Sequence, residues 1–360
     1  MKVLQILPSL SFGDAIGNDT LAINKLLISH GYETGIYAGG IHQNVKDRTG
    51  VYLLSELPKL EKNDVIIYHL ATSSTFHDEL PDLACKKIAI YHNVTPPEFF
   101  IEYNPVFYYS CKDGLDEVRQ LRGAFDYCLA VSDYNKKDLI RYGYKCPIDI
   151  RPILIPFSDY EKTPSKQVVE KFSDGKTNIV FVGRIVPNKK FEDVIAAFSC
   201  YKKCYDSDAR LILVGSSEGM EVYQQRLESF VDELGAEDVI FTGKIPFDEI
   251  LAYYKTADAL LCMSEHEGFC VPLIEAMFFD VPIIAYASSA IPYTLADSGV
   301  LLHEKNPLIT AGLINRVVND KELKDKIIAG QRERIKDFSY EIVSEMLMGY
   351  LKGFVDTNII

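Results

Sequence analysis

The sequence predicts an α/β protein of two domains, each built on a doubly wound parallel sheet. Three observations support this fold class. The chain has 360 residues, more than one hydrophobic core usually organises. Short apolar runs of strand length alternate with helical patterns as far as residue 302. Glycine or a polar side chain follows many of these runs, where parallel sheets of this kind bind ligands.

Composition argues against several classes of function. Hydrophobic residues make up 48% and charged residues 25%, as in ordinary globular chains, and the net charge of −13 argues against nucleic-acid binding. The eight cysteines include no CxxC pair, so free thiols in a reducing cytoplasm are expected. No apolar run approaches 18 residues, and Met1–Leu7 is too short for a signal peptide. We therefore expect a cytoplasmic protein.

The first domain is assigned to residues 1–165. It begins with a strand at Val3–Leu7, a loop at Pro8–Gly17, and a helix for which Asn18 or Asp19 is the expected N-cap. The loop contains Gly13, Asp14 and Gly17. Its GxxxG spacing differs from the GxGxxG of dinucleotide-binding dehydrogenases, so that class is disfavoured. By itself the spacing fits a generic tight turn equally well.

Later strands of this domain end beside polar residues. Strands are predicted at 64–68, 87–91 and 127–132, and a helix at 113–122. His69 follows the first of these strands and His92 the second, while Ser132 ends the third. For His69 we favour a structural role, and Ser132 is equally well explained as a helix N-cap.

The second domain is assigned to residues 166–340, and the boundary lies within a polar linker at 158–173. Its predicted strands include 178–183, 209–215, 239–245, 259–263, 281–286 and 299–302. The first of them ends at Gly183, and Arg184 and Lys189 follow it. An arginine fork and a lysine point charge at the end of a parallel strand suit a diphosphate, although such a pair alone is more often a pair of surface charges.

The stretch Ala259–Tyr286 predicts a strand, a polar loop, a short helix and a second strand. Glu267 lies in the loop and Glu275 inside the helix. The helix N-terminus, near residues 268–271, favours an anion, and carboxylates accept hydrogen bonds from sugar hydroxyls. The combination predicts a nucleotide-sugar site. Two solvated glutamates of an ordinary crossover would be the simpler explanation of the carboxylates alone.

Ser264–Met277 resembles the E-x7-E signature of retaining glycosyltransferases with the GT-B fold, notably family 4. Gly183–Lys189 resembles the donor-phosphate motif of the same family, with Lys190 in place of a common glycine. Tyr91–Phe100 is similar to bacterial enzymes that build surface polysaccharides. The resemblance implies two Rossmann-like domains that face a deep cleft, and a C-terminal helix, residues 341–360, that crosses back to the N-terminal domain.

The resemblance also implies an activity and a set of site residues. The reaction would transfer a hexose from a nucleotide-sugar to a hydroxyl of a glycan or lipid-linked saccharide, with retention of anomeric configuration. His92, Glu267, Arg184 and Lys189 would be the catalytic residues. The donor would be bound by Gly13, Gly17, Gly183, Arg184, Lys189, Ile245, Glu267, Gly268, Phe269, Cys270 and Glu275. Asp14, His69 and Ser132 are candidates for the acceptor side.

No metal or other cofactor is expected. The single Asp-x-Asp triplet that could bind one, Asp206–Asp208, falls in a polar turn. GDP-mannose is the favoured donor, and a UDP-hexose is the next. Two other functions stay open: a sugar-nucleotide epimerase of the same architecture and a non-catalytic binding relative. A minority interpretation brings the basic helix near Lys136–Lys145 to the inner face of a membrane. The oligomeric state is left open.

Overall fold

The computed structural model describes residues 1–11, 13–46 and 48–357, and it divides into two compact units. The first unit contains Met1–Glu98, Val106–Pro156 and the segment that starts at Phe338. The second unit contains Phe99–Pro105 and Phe157–Asp337. The chain therefore passes four times from one unit to the other.

The first unit is built on a parallel sheet, which has seven strands within the described residues. In sheet order they are β3 (Val51–Leu53), β2 (Glu33–Ile41), β1 (Lys2–Leu10), β4 (Val65–Leu70), β5 (Lys86–Tyr91), β6 (Tyr127–Ala130) and β7 (Ile148–Ile150). The strands β4 and β5 are almost wholly buried, as expected when helices cover both faces of a parallel sheet. The order reverses between β1 and β4, which is the switch point where such sheets bind ligands.

Within the described residues, four helices belong wholly or largely to the first unit: α1 (Ala15–Ser29), α2 (Pro105–Gln120), α3 (Asp133–Tyr142) and α12 (Tyr340–Thr357). The last of these packs on the far edge of the sheet. Tyr350 and Phe354 place their rings against Tyr127 of β6, at centroid distances of 6.3 and 5.7 Å. The hydroxyl of Tyr350 donates to the carbonyl of Ile150 in β7.

The second unit repeats the arrangement, with six strands in its described part. In sheet order they are β10 (Val239–Phe241), β9 (Arg210–Val214), β8 (Asn178–Val182), β11 (Ala259–Cys262), β12 (Ile283–Tyr286) and β13 (Val300–Leu302). All strand pairs are parallel, and the switch point lies between β8 and β11. Its helices are α4 (Lys166–Phe172), α5 (Phe191–Cys204), α6 (Glu221–Leu234), α7 (Phe247–Lys255), α8 (Val271–Phe278), α9 (Ile291–Leu295), α10 (Pro307–Asn319) and α11 (Lys321–Arg334).

Two doubly wound parallel sheets confirm the predicted α/β fold class. Three local predictions were wrong. The strand β4 continues through His69, because its register with β5 extends to Leu70. The N-cap of α1 is Asp14, whose carboxylate accepts from the N–H of Gly17, and the expected caps lie inside the helix. The helix α2 begins at Pro105, well before the predicted start at residue 113.

The predicted linker at 158–173 is not an open connector. It contains α4, and the ring of Phe172 packs against Tyr253 of α7. Phe12 of the predicted glycine loop and the last three residues of the predicted C-terminal helix lie outside the described residues. Among the helices that the structure describes, none combines the length and the apolar character needed to cross a bilayer.

Candidate functional site

The centre of the candidate donor site is an ion pair between the loop after β8 and the loop after β11. Lys189 Nζ lies 2.6 Å from Glu267 Oε1, and Ser264 Oγ donates to the same oxygen at 2.9 Å. The two charged side chains are 13% and 12% exposed. Burial alone would lower the pKa of Lys189, but the adjacent carboxylate outweighs burial and raises it, so the ammonium stays charged. The structure thus brings two predicted catalytic residues together.

Two features hold Lys189 in this position. Gly183 has no side chain, and a Cβ there would lie 3.2 Å from Lys189 Nζ, so glycine leaves room for the lysine. Asn188, which is buried, bonds to the two residues that precede Glu267: its side-chain amide donates to the carbonyl of His266, and its backbone carbonyl accepts from the N–H of Glu265. The sequence analysis missed Asn188. The only available signal was a polar residue between Pro187 and Lys189.

The helix α8 begins directly after the Glu267 loop. Pro272 occupies its first turn, and Cys270 is the N-cap residue with a φ of 71°, a left-handed conformation that is rare outside glycine. Phe269 and Cys270 are buried, and Gly268 is half-buried. Hydrogen bonding with Cys262 and burial hold the pKa of the Cys270 thiol well above its usual range. Cys270 is therefore a buried structural thiol, and only its backbone could approach a ligand.

Glu275 points from α8 to two tyrosines. The hydroxyl of Tyr254 donates to Oε2 at 2.6 Å and that of Tyr160 to Oε1 at 3.2 Å. Burial raises the pKa of Glu275 despite these hydrogen bonds and the positive charge of Lys189, which act in the opposite direction. A carboxylate has about four lone-pair sites, so two remain for ligand hydroxyls. Sequence reasoning identified Glu275 but not the tyrosines that orient it.

Two other predicted donor residues lie on separate loops. Arg184 follows Gly183, is exposed, and donates from a guanidinium nitrogen to the carbonyl of Glu218 at 3.3 Å. Ile245 is half-buried between β10 and α7. Both follow strands at the carboxyl edge of the second sheet.

In the first unit the glycine loop is tied by its own side chains. The N–H of Gly13 donates to Asn18 Oδ1 at 3.1 Å, and the N–H of Gly17 donates to Asp14 Oδ1 at 2.7 Å. A Cβ at Gly17 would lie only 1.7 Å from the carbonyl oxygen of Ser11, so this glycine is required by close backbone packing. Gly13 has a φ of 102°, a conformation that favours glycine, so the loop has a structural reason for both glycines.

The histidines predicted beside this loop meet in the interior. His69 Nδ1 lies 2.9 Å from His92 Nε2, and the rings are nearly parallel with centroids 5.1 Å apart. Burial lowers the pKa of His92 to about 4 and that of His69 well below its ordinary value, so both rings are neutral at pH 7. The ring of His69 is wholly buried. Its Nδ1 faces His92 and its Nε2 faces Gln5, so both ring nitrogens already contact protein groups.

A buried ion pair beside the histidines was missed by the sequence analysis. Arg151 donates from both terminal nitrogens to Asp19, at 2.8 and 2.6 Å, and the N–H of Leu154 donates to Asp19 Oδ1 at 2.8 Å. Both charged side chains are fully buried. Burial alone would raise the pKa of Asp19, but the guanidinium lowers it below its ordinary value. Asp19 had been expected at the helix cap, where a solvated carboxylate would sit.

Asp19, His69 and His92 are close enough together to suggest a metal site, since one donor atom from each lies within 4.8 Å of the others. However, the fork of Arg151 already occupies both oxygens of Asp19, and its charge would repel a second cation. The residues therefore fit a hydrogen-bonded cluster better than a metal centre. Asp206 and Asp208 lie before β9, at the amino end of that strand and on the opposite edge from Lys189.

Ser132 is fully buried and is the N-cap of α3, where its hydroxyl accepts from the N–H of Asn135. Of the two interpretations open for this residue, the structure supports the N-cap.

The two doubly wound parallel sheets define the class of this protein by its fold, which is a two-domain α/β fold. Over nearly the whole chain the structure resembles Anabaena HepE (Alr3699) in complex with UDP and glucose, with a TM-score of 0.76, 16% identity, and coverage of 98% of this chain and 100% of that one. Sucrose-phosphate synthase from Thermosynechococcus elongatus gives a TM-score of 0.76 at 15% identity, covering 99% and 100%. These likenesses confirm the fold alone.

At the sequence level, residues 162–334 match the family model described as Glycosyl transferases group 1, which covers just under half of the chain. The D-inositol 3-phosphate glycosyltransferase of Acidothermus cellulolyticus is 26% identical over 178 residues, 48% of this chain and 40% of that protein. The matches span about half or less of the curated relatives' own length. The matched family region contains Lys189, Glu267 and Glu275.

Proposed function

We propose that this protein is a retaining glycosyltransferase, which moves a hexose from a nucleotide-sugar to a hydroxyl of a glycan or lipid-linked saccharide. The observation that carries the proposal is the Lys189–Glu267 pair beside the N-terminus of α8. The pair combines a fixed cation for phosphate with a fixed carboxylate for hydroxyls. The match of residues 162–334 to glycosyl transferases group 1 supports the same conclusion.

In the proposed donor complex the diphosphate binds beside Lys189 and Arg184. An ammonium group has three N–H donors, so Lys189 can bond a phosphate oxygen while it keeps its bond to Glu267. The N–H groups at the start of α8 add partial positive charge at the same place. Glu267 accepts from hydroxyls of the hexose, and Glu275 accepts from the ribose hydroxyls. Ile245 contacts the base.

The proposed chemical step breaks the bond between the anomeric carbon and the diphosphate oxygen, and the bonding electrons leave with the diphosphate. The acceptor hydroxyl attacks the same face of the sugar, which retains the configuration, and its proton passes to the departing phosphate oxygen. Lys189 and Arg184 stabilise the charge that develops on that oxygen. The positive charges of Lys189 and Arg184 can offset the charge of the leaving diphosphate without a metal ion. We therefore propose a metal-independent reaction.

The proposed donors are GDP-mannose and UDP-hexoses. The complexes of Anabaena HepE contain UDP with glucose, and UDP-glucose itself, so a UDP-hexose should be tested alongside GDP-mannose. The likeness of Tyr91–Phe100 to surface-polysaccharide enzymes suggests bacterial polysaccharide synthesis in the cytoplasm, with acceptors that are membrane-linked.

The test is thermal-shift binding of GDP-, UDP-, dTDP- and ADP-hexoses to the wild type, Lys189→Met and Lys202→Met. Lys202 is a matched control because it is 12% exposed and paired with Asp238 at 2.7 Å, near the amino end of β9. A ligand at a hundredfold excess over its Kd adds about 2.7 kcal/mol of stability, which raises the midpoint by several degrees. We expect one nucleotide to stabilise the wild type and Lys202→Met but not Lys189→Met.

Turnover of the nucleotide-hexose that binds then distinguishes a transferase from an epimerase and from a non-catalytic relative. Release of nucleoside diphosphate with a new glycosidic bond of retained configuration, undiminished by EDTA, supports the proposal. An isomerised nucleotide-sugar would indicate an epimerase, and binding without turnover a non-catalytic relative. Absence of a shift with every nucleotide would contradict the donor site itself.

A further inference from the structure

A chain of three buried side chains runs across the first sheet from β1 through β4 to the end of β5. Gln5 Oε1 lies 3.0 Å from His69 Nε2, and His69 Nδ1 lies 2.9 Å from His92 Nε2. The remaining ring nitrogen, His92 Nδ1, is buried and has no hydrogen-bond partner among the described residues. The positions of the protons along this chain determine what His92 can offer to a ligand.

The first proton is fixed by Gln5. Its amide nitrogen donates to the carbonyl of Thr20 at 3.0 Å, so its oxygen must face His69. The opposite orientation would set two acceptors, the amide oxygen and the Thr20 carbonyl, against each other. The hydroxyl of Thr20 lies 3.5 Å from His69 Nε2 but gives its proton to the carbonyl of Ile16 at 2.8 Å. Both neighbours therefore present acceptors, and His69 Nε2 must carry the proton.

The second proton follows from the neutrality of the rings. A neutral imidazole carries one N–H, so His69 Nδ1 is an acceptor, and His92 Nε2 must donate to it. The rival acceptor, Asp19 Oδ2, is 4.0 Å from His92 Nε2 and is already bonded by Arg151. His92 Nδ1 is consequently left with a lone pair and no proton.

We propose that Gln5 and His69 are positioning residues, which fix the tautomer of His92 so that Nδ1 is held as an unprotonated hydrogen-bond acceptor. An unpaired buried acceptor costs free energy that a hydroxyl donor recovers. The opposite tautomer would present an N–H instead. The tautomer belongs to the ligand-free protein, so its test does not depend on the proposed function.

The tautomer is measurable by NMR of the full chain labelled with ¹⁵N-histidine, with the His92→Gln spectrum used to assign the signals among the seven histidines. We expect Nε2 of His92 to have the shift of a protonated nitrogen and Nδ1 that of an unprotonated one. A protonated Nδ1 in the wild type would overturn the proposal without reference to any variant.

Two substitutions of residues that lie beside His69 Nε2 test whether Gln5 fixes the tautomer. Gln5→Leu removes the acceptor, and we expect the share of the Nδ1–H tautomer of His92 to rise about tenfold, the value of one neutral hydrogen bond. Thr20→Val removes the hydroxyl that we exclude, and we expect it to leave the tautomer unchanged. Equal effects of both variants, or none from Gln5→Leu, would overturn the role of Gln5.

Discussion

At the carboxyl ends of β1, β4 and β5, the first unit buries the side chains of Asp19, His69 and His92. At the ends of β8 and β11, the second unit leaves Lys189 and Glu267 partly exposed, with 13% and 12% of their side chains accessible. The first cluster is organised by neutral rings and one fully buried ion pair, and the second by charges that a ligand can reach. The same sheet architecture therefore positions two different kinds of group. In the first unit it orients neutral hydrogen-bonding rings, and in the second unit it holds charged side chains in place.

The largest effect is expected when one partner of the buried ion pair is removed. Arg151→Met leaves the Asp19 carboxylate inside the first unit with no countercharge, which we expect to cost about 3–5 kcal/mol of stability. The midpoint of thermal unfolding, monitored by circular dichroism, measures this loss.

The matched control is Arg210→Met in the second unit. Arg210 also bonds an aspartate through both terminal nitrogens, but that partner, Asp174, is 40% exposed and can be solvated. We expect a loss of about 1 kcal/mol. Equal losses in the two variants would show that burial does not distinguish the two ion pairs.

A smaller effect should appear in the pH dependence of stability. The unfolded chain protonates His92 near the ordinary pKa of 6.5, whereas the folded chain protonates it only near pH 4. Between these values the unfolded state binds more protons, so stability is complete above pH 6.5 and falls as the pH drops to 4. The loss attributable to His92 should approach about 3 kcal/mol.

His92→Gln removes this titration. Its thermal midpoint should therefore fall less steeply than that of the wild type between pH 6.5 and 4. His69, Asp19 and Arg151 remain in both proteins and contribute to both curves. Parallel curves would contradict a neutral, buried His92.

The smallest effect concerns the tyrosines that orient Glu275. Tyr254→Phe removes a 2.6 Å hydrogen bond to the carboxylate, which we expect to weaken nucleotide binding about three- to tenfold. Isothermal titration with the nucleotide chosen by thermal shift measures the change. Tyr253→Phe is the control, because the ring of Tyr253 packs against Phe172 instead. Equal loss in both variants would argue against a specific role of the Tyr254 hydroxyl.

The same contrast explains what the sequence could predict. In the second unit the residues that meet come from short motifs: Gly183 and Lys189 lie in one loop, and Glu267 and Glu275 flank the start of one helix. Spacing within a motif survives in the fold, so these residues could be identified. Their supports, Asn188 and Tyr160, lacked a recognisable pattern.

In the first unit the important contacts join distant parts of the chain. Asp19 and Arg151 are 132 positions apart, and Gln5 and His69 are 64 apart. Only the register of the sheet and the path of α1 bring them together. A polar residue at the start of a helix, such as Asp19, has the same local pattern whether it caps the helix or pairs with a buried arginine. The expected cap was therefore placed on the wrong residue.

The four passages of the chain between the units have a consequence for protein synthesis. Tyr127 emerges from the ribosome long before Tyr350 and Phe354, the rings that pack on it in the finished fold. Nearly all of the second unit, Phe157–Asp337, is translated in between. While the second unit is being translated, Tyr127 at the far edge of the first sheet therefore lacks the rings of Tyr350 and Phe354 that cover it in the folded protein.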